Sequence, residues 1–163
     1  NSDSTRMTAA NHSFYLRNCY LENNLSRGKM ALGGAPVHLE DITVPVYNLA
    51  TREDHIAPAK SVFHGCRFFG GDVQFVMAGS GHIAGVVNPP NKVKYQFWTG
   101  GKPEGDFEDW VASATETPGS WWPHWHAWIE SMETGERVKA RKVGGRKLKP
   151  ICNAPGEYVL ARV

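Results

Sequence analysis

Two short apolar runs, each breaking into a polar loop, dominate the pattern of this chain. The first is T-V-P-V-Y-N-L-A (43–50), followed by T-R-E-D-H-I-A-P (51–58). The second is D-V-Q-F-V-M-A-G (72–79), followed by S-G-H-I-A-G-V-V-N-P-P (80–90). Runs this short, rich in Val, Phe and Tyr and bounded by Gly, Pro and Asp, predict buried strands rather than helices. Between them Ala59, Val62, Phe63, Cys66 and Phe69 recur at steps of three or four, which predicts a helix over 59–69. Pro58 suits its first turn. The stretch from Val44 to Pro90 therefore reads as strand, acidic loop, helix, strand, histidine loop, an α/β unit. A right-handed crossover sets both loops at one edge of the sheet, and in open α/β sheets ligands gather outside the carboxyl ends of the strands.

The flanking segments are less regular. Residues 11–25 predict a helix with Phe14, Leu21 and Leu25 on one face and Tyr15 and Cys19 on another. Apolar groups on more than one face imply burial, with Phe14 and Leu21 in the core. Gly28, Gly33, Gly34 and Pro36 punctuate a connection, and 35–39 suits a short edge hairpin. Residues 86–91 read as a turn, and 92–98 alternates like an edge strand or irregular arm. Asp106 is the expected N-cap of a helix over 106–117, with Phe107, Trp110, Val111 and Ala114 as its stripe and Pro118-Gly119 as its stop. A further helix follows Ser120, with Trp121, Trp125, Trp128, Ile129 and Met132 on one face. That spacing favours core packing on the sheet over an aromatic binding platform. From Thr134 to Lys149 seven Lys or Arg residues face Glu136 alone, the pattern of a solvated surface loop, with contact to phosphates or an anionic surface as the alternative. Residues 151–161 suit a short closing strand.

Composition narrows the class. At 163 residues, 41% hydrophobic and 21% charged, the chain has material for one domain with a real core. A net charge of +2 gives no reason to expect a nucleic-acid partner. No apolar run approaches the roughly 20 residues of a membrane span, and no signal segment opens the chain. Cys19, Cys66 and Cys152 are odd in number and far apart, which fits a reducing cytoplasm and three small apolar groups better than a disulfide framework. Asn1, not a methionine, opens the chain.

The candidate chemistry is an acid after one strand and a histidine after the next. This is how a nucleophile–acid–histidine triad ends when its members occur in that order along the chain. His82 is the candidate proton shuttle. From the residues alone, Asp54 and Glu53 are equal candidates for the acid. The nucleophile should precede them and does not appear; Cys66 lies after the acid on a predicted helix face. His124 and His126, two apart on a helix, do not face one another, so no metal site is expected.

The acid and histidine loops resemble those of polyhydroxyalkanoate synthases, the poly(3-hydroxybutyrate) polymerases. The segments F-Y-L-R-N-C-Y-L-E-N-N-L (14–25), A-T-E-T-P-G-S-W-W-P-H-W (114–125) and A-P-G-E-Y-V (154–159) are similar too, so the resemblance covers nearly the whole chain, nearest to the class I enzymes. It implies the C-terminal part of an α/β-hydrolase catalytic domain, with residues 1–10 leaving the cap over the active site. It selects Asp54 over Glu53 and implies a cysteine nucleophile in a G-x-C-x-G elbow, which this chain lacks. With its opening at Asn1, the chain reads as a piece of a longer protein, inactive alone.

By the same resemblance, the reaction transfers the acyl group of an (R)-3-hydroxyacyl-coenzyme A to a growing polyester. His82 takes the thiol proton, and Asp54 supports either His82 or the acceptor hydroxyl. No cofactor or metal is implied. His55, Ile83 and Tyr15 are the expected pocket residues, although His55 also suits a plain structural role. The basic 137–149 stretch is the candidate contact for coenzyme A phosphates. Homodimers on the surface of cytoplasmic polyester granules are implied. The alternatives are a depolymerase or thioesterase of the same fold, and a catalytically silent granule-associated partner.

Overall fold

A computed structural model describes residues 6–145 and 147–161 as two compact units, one running to Ser131 and the other starting at Met132. Residues 1–5, half of the expected exit from a cap, and Arg146 of the basic stretch lie outside the described residues.

The first unit opens with α1 (Ala9–Tyr15), whose N-cap Thr8 accepts a hydrogen bond from the Asn11 amide at 3.3 Å. Wider turns over Leu16–Leu21 continue it, closed by Glu22 N–H to the Arg17 carbonyl, and Asn23 ends the run at φ +50°. The expected core role of this segment is not met. Leu21 is 73% exposed and Phe14 only half-buried, because α1 packs chiefly against the wider turns that continue it. A two-residue hairpin follows, β1 (Ala31–Leu32) and β2 (Ala35–Pro36), somewhat before the expected 35–39. Gly33 and Gly34 turn it at φ +58° and +85°, a pair of positive angles that suits glycine.

The sheet that positions the site comes next. β3 (Val46–Thr51) runs parallel to β4 (Val73–Ala78), joined through α2 (Ala59–Gly65). β5 (Gln96–Thr99) lies antiparallel to β4. After α3 (Phe107–Ser113), β6 (Thr115–Pro118) lies antiparallel to β5. The order β3-β4-β5-β6 puts β5 inside the sheet, not at the edge its polar alternation suggests. The true edge is β6, a polar Thr-Glu-Thr-Pro that reads as the tail of the preceding helix. That helix stops at Ser113 because Ala114 is already extended, at φ −72° and ψ 146°. Asp106 caps it by accepting from the Glu108 amide at 2.8 Å. The fold is thus mixed α/β with a mixed sheet.

Both faces of β4 are covered, as a parallel pair requires. Phe75 and Met77 face a core built with Ala50, Ala59, Phe63, Cys66, Trp98 and Trp110. Val76 and Ala78 point the other way, to Phe97, Tyr47, Leu49 and Trp121. Phe63 anchors the first core, its ring 5.3 Å from Phe75 and 5.5 Å from Phe107. On the second face lies α4 (Trp122–Glu130). Its aromatic stripe is only half used. Trp121 and Trp128 are the rings that reach Tyr47 on the sheet, so Trp125 and Ile129 stay 41% and 39% exposed.

The second unit is irregular among its described residues. The expected strand over 151–161 is instead a single short helical turn, Tyr158–Leu160, preceded by Pro155 and by Gly156 at φ +84°, which interrupt an extended run. The basic residues described between 137 and 149 are exposed. Met132 is also partly exposed, and Cys152 is exposed, so it is not the buried apolar group expected. Among the described residues no helix is long and apolar enough to cross a membrane.

Candidate active site

The site begins where β3 and β4 end. Their in-register pairing, Thr51 opposite Ala78, releases both following loops at the same sheet edge. The backbone ladder runs on beyond the strands: Arg52 N–H donates to the Ala78 carbonyl at 2.8 Å, and Glu53 N–H to the Ser80 carbonyl at 3.1 Å. The acid loop and the histidine loop are thereby stitched together.

Asp54 then turns back on its own loop. Its Oδ1 accepts from the amides of Ile56 (2.8 Å) and Ala57 (2.9 Å). This is the local side-chain-to-backbone bonding that aspartate favours in turns. Its Oδ2 accepts from Thr51 Oγ1 at 3.3 Å and lies 2.7 Å from His82 Nδ1. The Asp54 side chain is 6% exposed and that of His82 46%. The Ala57 amide above all, with His82 and the Ile56 amide, holds the Asp54 carboxyl well below the usual carboxylate range, against burial, which pushes it up. An ionised carboxylate can only accept, so the facing Nδ1 carries the proton. Nε2 of this half-exposed ring is then left with its lone pair free, the protonation arrangement a general base needs.

The histidine loop is held by close packing. Ser80 takes φ +71°, a left-handed conformation uncommon outside glycine. Gly85 folds back over the end of β3, where an added Cβ would lie 2.6 Å from both the Gly79 carbonyl oxygen and Thr51 Cγ2. Gly85→Ala is expected to destabilise the fold by about 1–3 kcal/mol, as overpacking does. Denaturant unfolding checks this through a lower midpoint at unchanged slope.

The expected pocket residues separate. His55 is exposed beside the acid, and Ile83, next to His82, is 57% exposed. Tyr15 lies on α1, where its hydroxyl donates to that of Tyr20 at 3.1 Å and not to Asp54 or His82. A cavity of about 530 Å³ adjoins Asp54, bordered by Arg52, Met77, Phe107 and Val111. A larger one of about 860 Å³ opens at the amino ends of β3 and β4, near Pro45 and Asp72, away from this chemistry.

His124 turns inward, its Nδ1 2.9 Å from the Tyr47 hydroxyl, while His126 lies 3.4 Å from Glu130. Burial pushes the pKa of His124 down and that of Tyr47 up. Cys66 is buried, its Sγ accepting from Asn48 Nδ2 at 3.1 Å, and burial raises its thiol pKa, so it is poorly suited to attack. Sequence reasoning missed Thr51 and the two amides that fix Asp54. A short polar D-x-x turn directly after a strand was the available signal.

No family model matches the chain. It is 66% identical over 162 residues, 99% of its length, to a Rhizobium etli poly(3-hydroxyalkanoate) polymerase subunit PhaC. It is 62% identical over 160 residues to a Methylorubrum extorquens poly(3-hydroxyalkanoate) polymerase, and 39% identical over 163 to a Cupriavidus necator polymerase subunit PhaC. These matches cover 25%, 26% and 28% of the respective relatives, so the chain spans about a quarter of their length. Over its whole length, then, this chain is a close relative of a segment of the poly(3-hydroxyalkanoate) polymerases.

Proposed function

We propose that this chain is the acid- and histidine-bearing C-terminal part of an α/β-hydrolase-type polyester synthase. The observation that carries this reading is the 2.7 Å contact between His82 Nδ1 and a buried Asp54 carboxylate held by three further donors. A cysteine outside these 163 residues supplies the nucleophile. Its S–H proton passes to His82 Nε2, and the thiolate attacks the carbonyl of an (R)-3-hydroxyacyl-coenzyme A thioester. The carbon–sulfur bond to coenzyme A then breaks, and His82 returns the proton to the leaving thiolate. The acyl group on cysteine is next attacked by a 3-hydroxyl, whose proton His82 takes; the acyl–sulfur bond to cysteine breaks and His82 returns the proton to the departing cysteine thiolate, so the polyester grows by one unit.

Asp54 acts as the orienting acid. Four donors engage its two oxygens, and a carboxylate held so far below its ordinary pKa is a weak base for a substrate hydroxyl. It instead fixes the tautomer of His82 and stabilises the imidazolium. His55 and Ile83 flank the entering acyl group. No resident cofactor takes part in these steps. The full enzyme works as a cytoplasmic homodimer at the granule surface.

The test follows coenzyme A release from 3-hydroxybutyryl-coenzyme A. The full-length polymerase carrying this chain is expected to give polymer, and the 163-residue chain alone none. Turnover by the isolated chain would overturn the missing-nucleophile reading, and free 3-hydroxybutyrate as the sole product would convert the assignment to a hydrolase.

A further inference from the structure

The indoles that open α4 do more than pack. Trp121 Nε1 donates to the carbonyls of Gly85 and Val86, both at 3.2 Å, and Trp122 Nε1 donates to the Val86 carbonyl at 3.0 Å. These carbonyls end the turn that His82 begins, a turn closed by Gly85 N–H to the Gly81 carbonyl (2.9 Å) and Val87 N–H to the Ile83 carbonyl (2.8 Å). Trp122 is only half-buried and its N–H could bond to water, yet it points at the loop. Behind the pair, the Trp122 amide donates to the buried Ser120 hydroxyl at 3.1 Å, and Gly119 N–H donates to the Tyr95 carbonyl at 2.8 Å. Beyond the turn, buried Asn88 donates to the Lys94 carbonyl at 2.8 Å. The strand side fixes the beginning of the histidine loop, through Glu53 and Ser80, and the indoles fix its end.

We propose that Trp121 and Trp122 are positioning residues for His82, a two-indole clamp that sets where its Nε2 points. This rests on the reading of His82 as the proton shuttle. Misplacing a catalytic group by about 1 Å can cost about 100-fold in rate, so a loop needs a fixed far end if its histidine is to serve two proton transfers per cycle. Packing alone would call for the rings, not for two N–H groups aimed at adjacent carbonyls.

Trp121→Phe and Trp122→Phe keep the aromatic packing and remove the donors. In the full-length polymerase each is expected to speed amide hydrogen exchange in the 81–88 peptide by about fivefold, the worth of one ordinary hydrogen bond. Exchange in the β3 and β4 peptides should stay unchanged, kcat should fall by a similar factor, and KM should hold. Trp125→Phe, on the same helix but with no bond to the loop, should match the parent. Unchanged loop exchange, or faster exchange at full kcat, overturns the clamp. If Trp121→Phe does not fold, Trp122→Phe decides alone. A polymerase that keeps its activity as His82→Ala would defeat the functional reading, while the exchange measurement would still decide whether the clamp exists.

Discussion

Replacing His82 with alanine in the full-length polymerase is expected to lower kcat by at least about 10³-fold with little change in KM. Positioned proton transfer contributes about 10²–10⁴-fold, and in the proposed cycle one imidazole serves both the thiol and the acceptor hydroxyl. The side chain is 46% exposed, so the fold should survive its truncation. A second readout separates loss of base from loss of structure. The nucleophilic cysteine should react more slowly with iodoacetamide near neutral pH, because its thiolate fraction falls when the neighbouring imidazole is gone. Full activity with an unchanged alkylation rate would remove His82 from the mechanism.

Asp54→Asn should cost about 10²–10⁴-fold in kcat for a different reason. The amide keeps the volume, and its oxygen still accepts from Ile56 and Ala57. That leaves the NH₂ group facing His82, which can then only accept at Nδ1, so the proton moves to Nε2 and the base is switched off. The same variant reports on acid stability. The native Asp54 pKa is depressed below its ordinary 3.8, so the unfolded chain binds more protons than the native one as pH falls. The stabilisation is therefore complete above that value and is lost as pH drops through the lower native pKa. The stability gap between parent and Asp54→Asn should be present at about pH 4 and close as the pH falls further. A gap that stayed fully open far below about pH 4 would contradict the hydrogen-bonded carboxylate.

Much of this was legible in the residues, and the gaps have physical causes. The strand–helix–strand unit emerged because Val, Phe and Tyr runs and a three-to-four stripe are strong local signals, and the two loops meet because parallel pairing leaves topology little choice. β6 was hidden because a short, polar Thr-Glu-Thr-Pro becomes a strand only through β5, a tertiary effect that no local propensity encodes. The burial expected of Leu21, and of the outer stripe of α4, failed for the same reason. Periodicity says which residues share a face, not whether another surface arrives to cover it. Asp54 and Glu53 could not be separated by pattern. The choice between them came from resemblance, and only the turn geometry shows Asp54, with its two amides, aimed at His82.

The two hydrogen bonds that extend the β3–β4 ladder past its last paired residues have a dynamic consequence. An acid and a base carried on separate loops would ordinarily part on the timescale of loop motion. Here neither can swing away unless the strand ends beneath them fray, so their lifetime together is set by how often those ends open.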